Sequence, residues 1–212
     1  MEEKFVVSST KNPKIVMEVT PGHFTTNVSH VSHYLDLGPL KHNIFAARDI
    51  ARELAAQYIS CELIDTIICM EGTEIIGAYL AEELVQEGTL IMNEDSNIYV
   101  ISPMNNINGQ LVFQKNEQHL IENKNIILLV SSVSSGKTVH RALECLSYYE
   151  GRLVGISALF AATPHIYDYD VNAIFTEEDI PDYYYSRVEE CIMCHDGIKL
   201  DAIINNEGYN EL

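Results

Sequence analysis

Residues 126–138 read Ile-Ile-Leu-Leu-Val-Ser-Ser-Val-Ser-Ser-Gly-Lys-Thr, and Val139, Ala142, Leu143 and Leu146 follow at helical spacing. A buried strand thus ends in small residues and a glycine, and a helix begins. The first N–H groups of a helix have no partner within it and point outward along the positive end of its dipole, which suits a phosphate. Ser134, Ser135 and Thr138 add hydroxyl donors, Lys137 lies in the same stretch, and Gly136 permits a close approach. A serine-rich turn that merely caps its helix would share these features. Gly-Lys-Thr also invites a nucleotide-triphosphatase reading. That loop needs a glycine five positions before Gly136, where Ser131 stands, so the reading is rejected.

Weaker groupings lie elsewhere. Cys191-Ile-Met-Cys194, followed by His195, has zinc-ligand spacing, but a structural site needs four ligands and the chain has no second Cys-x-x-Cys. Cys145, His165 or a partner chain would have to complete it, so two thiols at a turn before Gly197 is the plainer reading. The expectation is no stoichiometric zinc in the isolated monomer. Glu71 and Glu74, three apart, read as an acid/base pair or as ordinary acids of a first helical turn. His23, His30 and His33 offer base contacts or simple surface and capping roles, and Tyr183-Tyr-Tyr185 offers a stacking lid, a subunit interface or plain packing.

The elements that position these groups alternate. Ile44, Ala47, Ala51, Leu54, Ala55 and Tyr58 mark a helix with Asn43 as N-cap. Leu63–Met70 reads as a strand broken by Gly72, and a helical stripe from Ile76 runs on toward Gly88. Asn97–Ser102 is a strand, Pro103–Gly109 a loop or hairpin tip, and Leu111–Phe113 its return arm. The unbroken run Ile126–Val130 is that of a strand buried on both faces, and Leu153–Phe160 and Val171–Phe175 supply two more. This alternation predicts an α/β fold, an open and mostly parallel sheet with helices on both faces. In such sheets ligands gather beyond the carboxyl ends of the strands, which singles out Met70–Glu74 and Ser131–Thr138.

Composition narrows the function. With 47% hydrophobic and 21% charged residues over 212, the chain can bury a full core. Thirteen Lys and Arg against 31 Asp and Glu give a net charge of −18, and the basic residues never cluster, which argues against nucleic-acid binding. From Asp168 onward twelve acids face Arg187 and Lys199 alone, a tail of net −10. The acidic start and short apolar runs predict no signal peptide and no membrane span. Five cysteines, an odd number, fit a reducing, cytoplasmic setting.

Ser134–Thr138 with its strand resembles the 5′-phosphate loop of the type I phosphoribosyltransferase family. Cys69–Ala78 resembles that family's pyrophosphate loop, and Phe24–Asp36 the opening of its orotate branch. The resemblance touches three places between Phe24 and about Phe160. It implies that Ser134, Ser135, Gly136, Lys137 and Thr138 hold the 5′-phosphate of phosphoribosyl diphosphate (PRPP). Met70, Glu71, Gly72 and Thr73 would hold the pyrophosphate, and a mobile loop within Pro103–Glu117 would offer Lys115. Two features depart from the pattern. Val130 and Ser131 stand where the family carries two acids for the ribose diol, and Glu74 stands where it usually has glycine.

The expected architecture is one domain over 1–212, its core spanning about 40–165, with segments 1–39 and 166–212 packed around it as a small hood. The expected function is transfer of phosphoribose from PRPP to an orotate-like nucleobase with release of pyrophosphate, using Mg²⁺ if PRPP is the donor. The alternative is a non-catalytic binder of PRPP or nucleoside 5′-monophosphates. A homodimer, with neither nucleic acid nor membrane as partner, completes the expectation.

Overall fold

The computed structural model describes residues 3–27, 29–58, 63–85, 97–205 and 208–212. The chain opens with β1 (Phe5–Ser8), β2 (Val16–Thr25), β3 (Ser29–Asp36), α1 (Gly38–His42) and α2 (Ile44–Ala55). It continues through β4 (Thr66–Cys69), α3 (Glu74–Val85), β5 (Tyr99–Ile101), β6 (Met104–Asn105) and β7 (Leu111–Val112). Then come β8 (Asn125–Val133), α4 (Lys137–Tyr148), β9 (Arg152–Ala161), β10 (His165–Ile166) and β11 (Tyr169–Thr176). β12 (Tyr185–Arg187), α5 (Ile192–His195), β13 (Ala202–Asn205) and β14 (Gly208–Glu211) close it.

The central sheet has the order β10-β11-β9-β8-β4-β5, parallel throughout except for the edge strand β10. From β4 the chain moves outward to β5. From β8 it moves the other way, to β9 and β11. The direction of winding therefore reverses between β4 and β8, and the loops that follow these two neighbours open into one crevice.

Side-chain alternation explains why the 126–130 run is apolar without a break. Ile127 and Leu129 pack with Ala47, Ile50 and Leu54 of α2 and Ile76 and Leu80 of α3. Ile126, Leu128 and Val130 pack on the opposite side with Val139, Ala142 and Leu146 of α4. Each fully buried Leu or Ile contributes roughly 1.5–3 kcal/mol relative to exposure, so both faces of β8 anchor the fold. The Asn43 side chain accepts hydrogen bonds from the N–H groups of Phe45 and Ala46, as an N-cap does.

A second sheet joins the two ends of the chain in the order β12-β3-β2-β13-β14, with β1 also paired to β2. Among the described residues no helix is long and apolar enough to cross a membrane. Several boundaries differ from the expectation. β4 starts at Thr66 rather than Leu63, β5 covers Tyr99–Ile101 rather than Asn97–Ser102, and α3 is described over Glu74–Val85, while Gly88 and Cys61 lie outside the described residues. β8 continues through Val133, because Ser131 and Ser132 keep pairing with β9 up to Ser132–Phe160 and Val133–Ala161. Small hydroxyl residues signalled a loop, but ladder hydrogen bonds from a long neighbouring strand extend the strand past them.

Candidate functional site

A cleft of about 810 Å³ opens over the carboxyl ends of β4 and β8. Ser134, Ser135, Gly136, Lys137 and Thr138 line one wall and Met70, Glu71 and Gly72 the facing one. The loop after β8 is short. Gly136 takes φ 70°, the left-handed conformation that favours glycine, and caps α4 without a side-chain hydrogen bond. A Cβ at Gly136 would lie 2.7 Å from Ile166 Cδ1, the end of a flexible side chain that would have to turn aside, so the left-handed backbone is what holds this position to glycine. The first turn of α4 carries no acid but does carry Lys137. That choice opposes the helix dipole unless an anion comes to sit there.

The loop after β4 has two left-handed residues in a row, Glu71 at φ 61° and Gly72 at φ 81°. Its backbone is held from below by Thr73, fully buried, whose single hydroxyl proton is shared between the carbonyls of Met70 (3.0 Å) and Leu129 (3.2 Å). Thr73 is therefore a staple of the loop, and its side chain does not line the cleft. Glu71 spans the gap between the loops. Its Oε1 accepts from Thr138 Oγ1 at 3.1 Å, while its Oε2 is buried without a partner. Glu74 turns to Ser102, whose hydroxyl donates to Glu74 Oε1 at 2.7 Å, and it stays on the cleft wall.

Two further residues stand off the cleft wall. Val130, placed by alignment at a ribose-diol position, is fully buried in the apolar layer beneath α4 and does not line the cleft. Strand alternation turns Ser131, not Val130, to the cleft. Lys115 is exposed and is likewise absent from the lining. The β6–β7 hairpin is tied down instead by Arg141 of α4, whose Nη2 donates to Asn105 Oδ1 (2.8 Å) and to the carbonyl of Gly109. The cleft cations are thus Lys41, Lys137 and Arg141.

Lys41 was missed by sequence reasoning. It is 5% exposed, and its Nζ donates to the Glu71 carbonyl at 3.0 Å. Only a Lys in a five-residue helix marked it in sequence, and that is no signal. The hood supplies the roof of the cleft through His33, Tyr34 and Tyr183. Tyr183 packs edge-on to Phe160 (5.1 Å) and stacks beside His33 (6.1 Å, 26°). Burial pushes its phenol well above the usual tyrosine range, while a hydrogen bond with Ser134 works the other way. Of the three tyrosines only Tyr183 lines this cleft. Tyr184 bonds to the carbonyl of Glu190, and Tyr185 pairs with Val31.

Away from the cleft, four side chains converge under the hood: His23, His30, Cys191 and Cys194, with their nitrogen and sulfur atoms all within 4.8 Å of one another. The premise that Cys191 and Cys194 lack a second ligand pair is overturned, because two histidines distant in sequence supply it. Cys145 and His165 take no part. Cys145 Sγ on α4 donates to the Leu111 carbonyl of β7, and His165 faces Asp170 at the β10 edge.

No protein-family model matches this chain, and neither does any curated protein. Solved structures do. UMP synthase from Leishmania donovani is similar over 76% of this chain at 19% identity and a TM-score of 0.53, although this chain spans only 34% of that longer protein. Orotate phosphoribosyltransferase from Mycobacterium tuberculosis H37Rv, in complex with Fe(III) dicitrate, is similar over 77% of this chain and 91% of its own, at 11% identity and a TM-score of 0.52. Adenine phosphoribosyltransferase from Trypanosoma brucei, in complex with AMP, pyrophosphate and ribose-5-phosphate, is similar over 71% and 73%, at 15% identity and a TM-score of 0.51. At such identities the likeness speaks for architecture, and the chain has the type I phosphoribosyltransferase fold, which orotate, adenine and UMP-forming enzymes share.

Proposed function

We propose that the cleft binds the 5′-phosphate of a phosphorylated ribose, PRPP or a nucleoside 5′-monophosphate, at Ser134–Thr138. One observation carries this reading: the left-handed Gly136 opens α4 onto the cleft with no acid in the helix's first turn. The AMP, ribose-5-phosphate and pyrophosphate held by the trypanosomal neighbour support the same ligand class. The Met70–Gly72 loop faces the pyrophosphate, and the Asn105–Leu111 side of the hairpin covers the site.

The reaction this arrangement suits is transfer of phosphoribose to a nucleobase such as orotate. The bond from ribose C1 to the pyrophosphate oxygen breaks, and a bond from C1 to a base nitrogen forms. Catalysis there is positioning plus stabilisation of separating charge. Lys41, Lys137 and Arg141 offset the negative charge of the departing pyrophosphate, and Tyr183 with His33 flanks the base.

A specific observation favours a second reading, a binder without the chemistry. At the ribose-diol positions Val130 is buried in the core and Ser131 offers only a hydroxyl. The Mg²⁺ that PRPP chemistry implies finds no carboxylate there, and Glu71 is engaged with Thr138. These residues do not fit the ion, and no step is routed through it.

Calorimetry with AMP and with PRPP, each with and without Mg²⁺, tests the binding. Pyrophosphate release with PRPP and orotate tests the transfer. Binding of AMP with no turnover selects the binder, turnover selects the transferase, and no binding of either ligand overturns both. The reading also takes 1–212 as one domain that forms a homodimer in a reducing cytoplasm. Sedimentation of the purified chain as a monomer would remove the dimer from it.

A further inference from the structure

We propose that His23, His30, Cys191 and Cys194 form a tetrahedral zinc site that fastens the hood. It is independent of what the cleft binds. Zinc takes imidazole nitrogen at about 2.0–2.1 Å and thiolate sulfur at about 2.3 Å, so a tetrahedron around it has edges of about 3.3 Å for N–N and about 3.6 Å for N–S. The measured separations are 3.0 Å for His23 Nε2 to His30 Nδ1 and 3.4 Å for Cys191 Sγ to His23 Nε2. Cys194 Sγ lies 3.7 Å from His23 Nε2 and 3.3 Å from His30 Nδ1. These four of the six edges fall within about 0.3 Å of the tetrahedral values, and the other two lie within 4.8 Å.

Hydrogen bonding alone does not explain why four ligand atoms from distant segments face one point. His23 Nδ1 lies 2.9 Å from the carbonyl of Ile198, which can only accept, so Nδ1 carries the proton and Nε2 a lone pair. Three groups then converge on that single lone pair: His30 Nδ1 and both thiols. One lone pair takes one donor. A divalent cation at the centre takes all four ligands at once, and two thiolates cancel its charge, which a largely buried site requires. Two nitrogens and two sulfurs in a tetrahedron select zinc among the common divalent ions.

The local fold is built to aim these atoms. A register shift in β2 between Pro21 and Phe24 bulges His23 out of the ladder. Its backbone is tied to Asp201 both ways: His23 N–H donates to Asp201 Oδ2, and Asp201 N–H donates to the His23 carbonyl, each at 2.8 Å. A Cβ at Gly22 would lie 2.8 Å from the same Asp201 carboxylate, so glycine is needed for that approach. On the other side Cys191 caps α5, whose first turn brings Cys194 back onto it, with the His195 N–H bonded to the Cys191 carbonyl. The four cysteines of the described residues are free thiols, Cys191 and Cys194 included. A metal here joins segments 168 positions apart and fixes β3, which brings His33 and Tyr34 to the cleft.

The full chain, purified under reducing conditions without chelator, is assayed for metal by mass spectrometry. The expected content is about one zinc per chain, falling at least tenfold in the Cys191→Ser, Cys194→Ser double variant. Because that variant could misfold, unmodified protein is also stripped with chelator and titrated with Co²⁺. The expected readout is the intense visible spectrum of tetrahedral cobalt with a near-ultraviolet thiolate band, displaced by one equivalent of Zn²⁺. Chelator should lower the Tm of the unmodified protein and leave that of a folded double variant unchanged. Protein that retains no zinc after loading and desalting, or that gives no tetrahedral cobalt spectrum, would overturn the site.

Discussion

Two strand–loop–helix units lie side by side at the switch point, and their likeness is confined to the backbone. β4 and β8 are parallel neighbours, and each runs into a loop with left-handed residues and then into a twelve-residue helix. Both helix starts could cradle an anion. Their side chains part company. The β8 unit shows hydroxyls, Lys137 and no acid in its first turn, while the β4 unit shows Glu71 and Glu74. Backbone geometry makes an anion site possible, and side-chain charge decides whether it is used. In this chain the acidic loop also reaches across, with Glu71 holding the Thr138 hydroxyl that a phosphate would take.

The largest effect should come from restoring an acid at the end of β8. Val130→Glu places a carboxylate among Leu128, Ile156 and Ala142, where it has no partner. A loss of more than about 4 kcal/mol of stability is expected, read as failure to fold or a collapse of the denaturant midpoint. Ser131→Asp faces the cleft and should fold. If Val130→Glu is as stable as the parent chain and tightens PRPP, the two units differ less than their packing says.

Next in size is the anchor itself. Gly136→Val must hold a β-branched residue at φ 70° with its Cβ against Ile166, and should weaken AMP by at least about 100-fold, roughly 2.7 kcal/mol. Gly109→Ala is the control. Gly109 has φ 72° but nothing within 4 Å of an added Cβ, so it separates backbone strain from loss of the phosphate seat. Equal losses in both variants, measured by calorimetry, would show that strain alone is responsible.

Glu71→Gln sharpens the contrast from the other side. It removes the charge that competes for Thr138 and should tighten metal-free AMP about tenfold, the effect of about 1.4 kcal/mol. Weaker binding would mean that Glu71 assists the ligand. Glu74→Gln should tighten AMP only a few-fold, and only at low salt, because Glu74 is exposed and its field is screened within about 8 Å at physiological ionic strength. An effect that survives high salt would place that carboxylate in contact with the phosphate.

Thiol labelling gives the smallest signal and bears on both the units and the hood. Burial pushes the Cys69 thiol at the end of β4 up to about 12 and the Cys145 thiol of α4 up to about 11. A raised pKa keeps each protonated at pH 8, so both should resist iodoacetamide in the folded chain. Cys194 is exposed, and metal should protect it until chelator is added. Rapid labelling of Cys145 at pH 8, located by peptide mass spectrometry, would show that α4 opens readily from its sheet.

Periodicity carries far in this chain wherever one element buries one face. The α2 stripe with its Asn43 cap, the doubly buried β8 and the glycine turn at Gly136 that opens α4 were legible because each is a local pattern of apolar spacing, cap or glycine. The hood was not, beyond its place at the chain ends. Its sheet pairs β3 with β12 and β2 with β13, across about 150 to 180 residues, and no local spacing encodes that pairing.

The same distinction divides the site residues. Composition and spacing by themselves determined an acidic α/β chain, a buried central strand and a glycine-opened helix start with no acid in its first turn. Only the tertiary structure decided that Val130 faces the core and Ser131 the cleft, because one step along a strand turns a side chain to the opposite face. It alone put Lys41 beneath the Glu71 loop and turned Thr73 inward as a staple. It also closed two histidines of a bulged hairpin onto a Cys-x-x-Cys over 160 residues away. Metal ligands and ion partners meet through space, and their separation along the chain costs only the slowly growing entropy of a longer loop, so sequence distance holds no record of them.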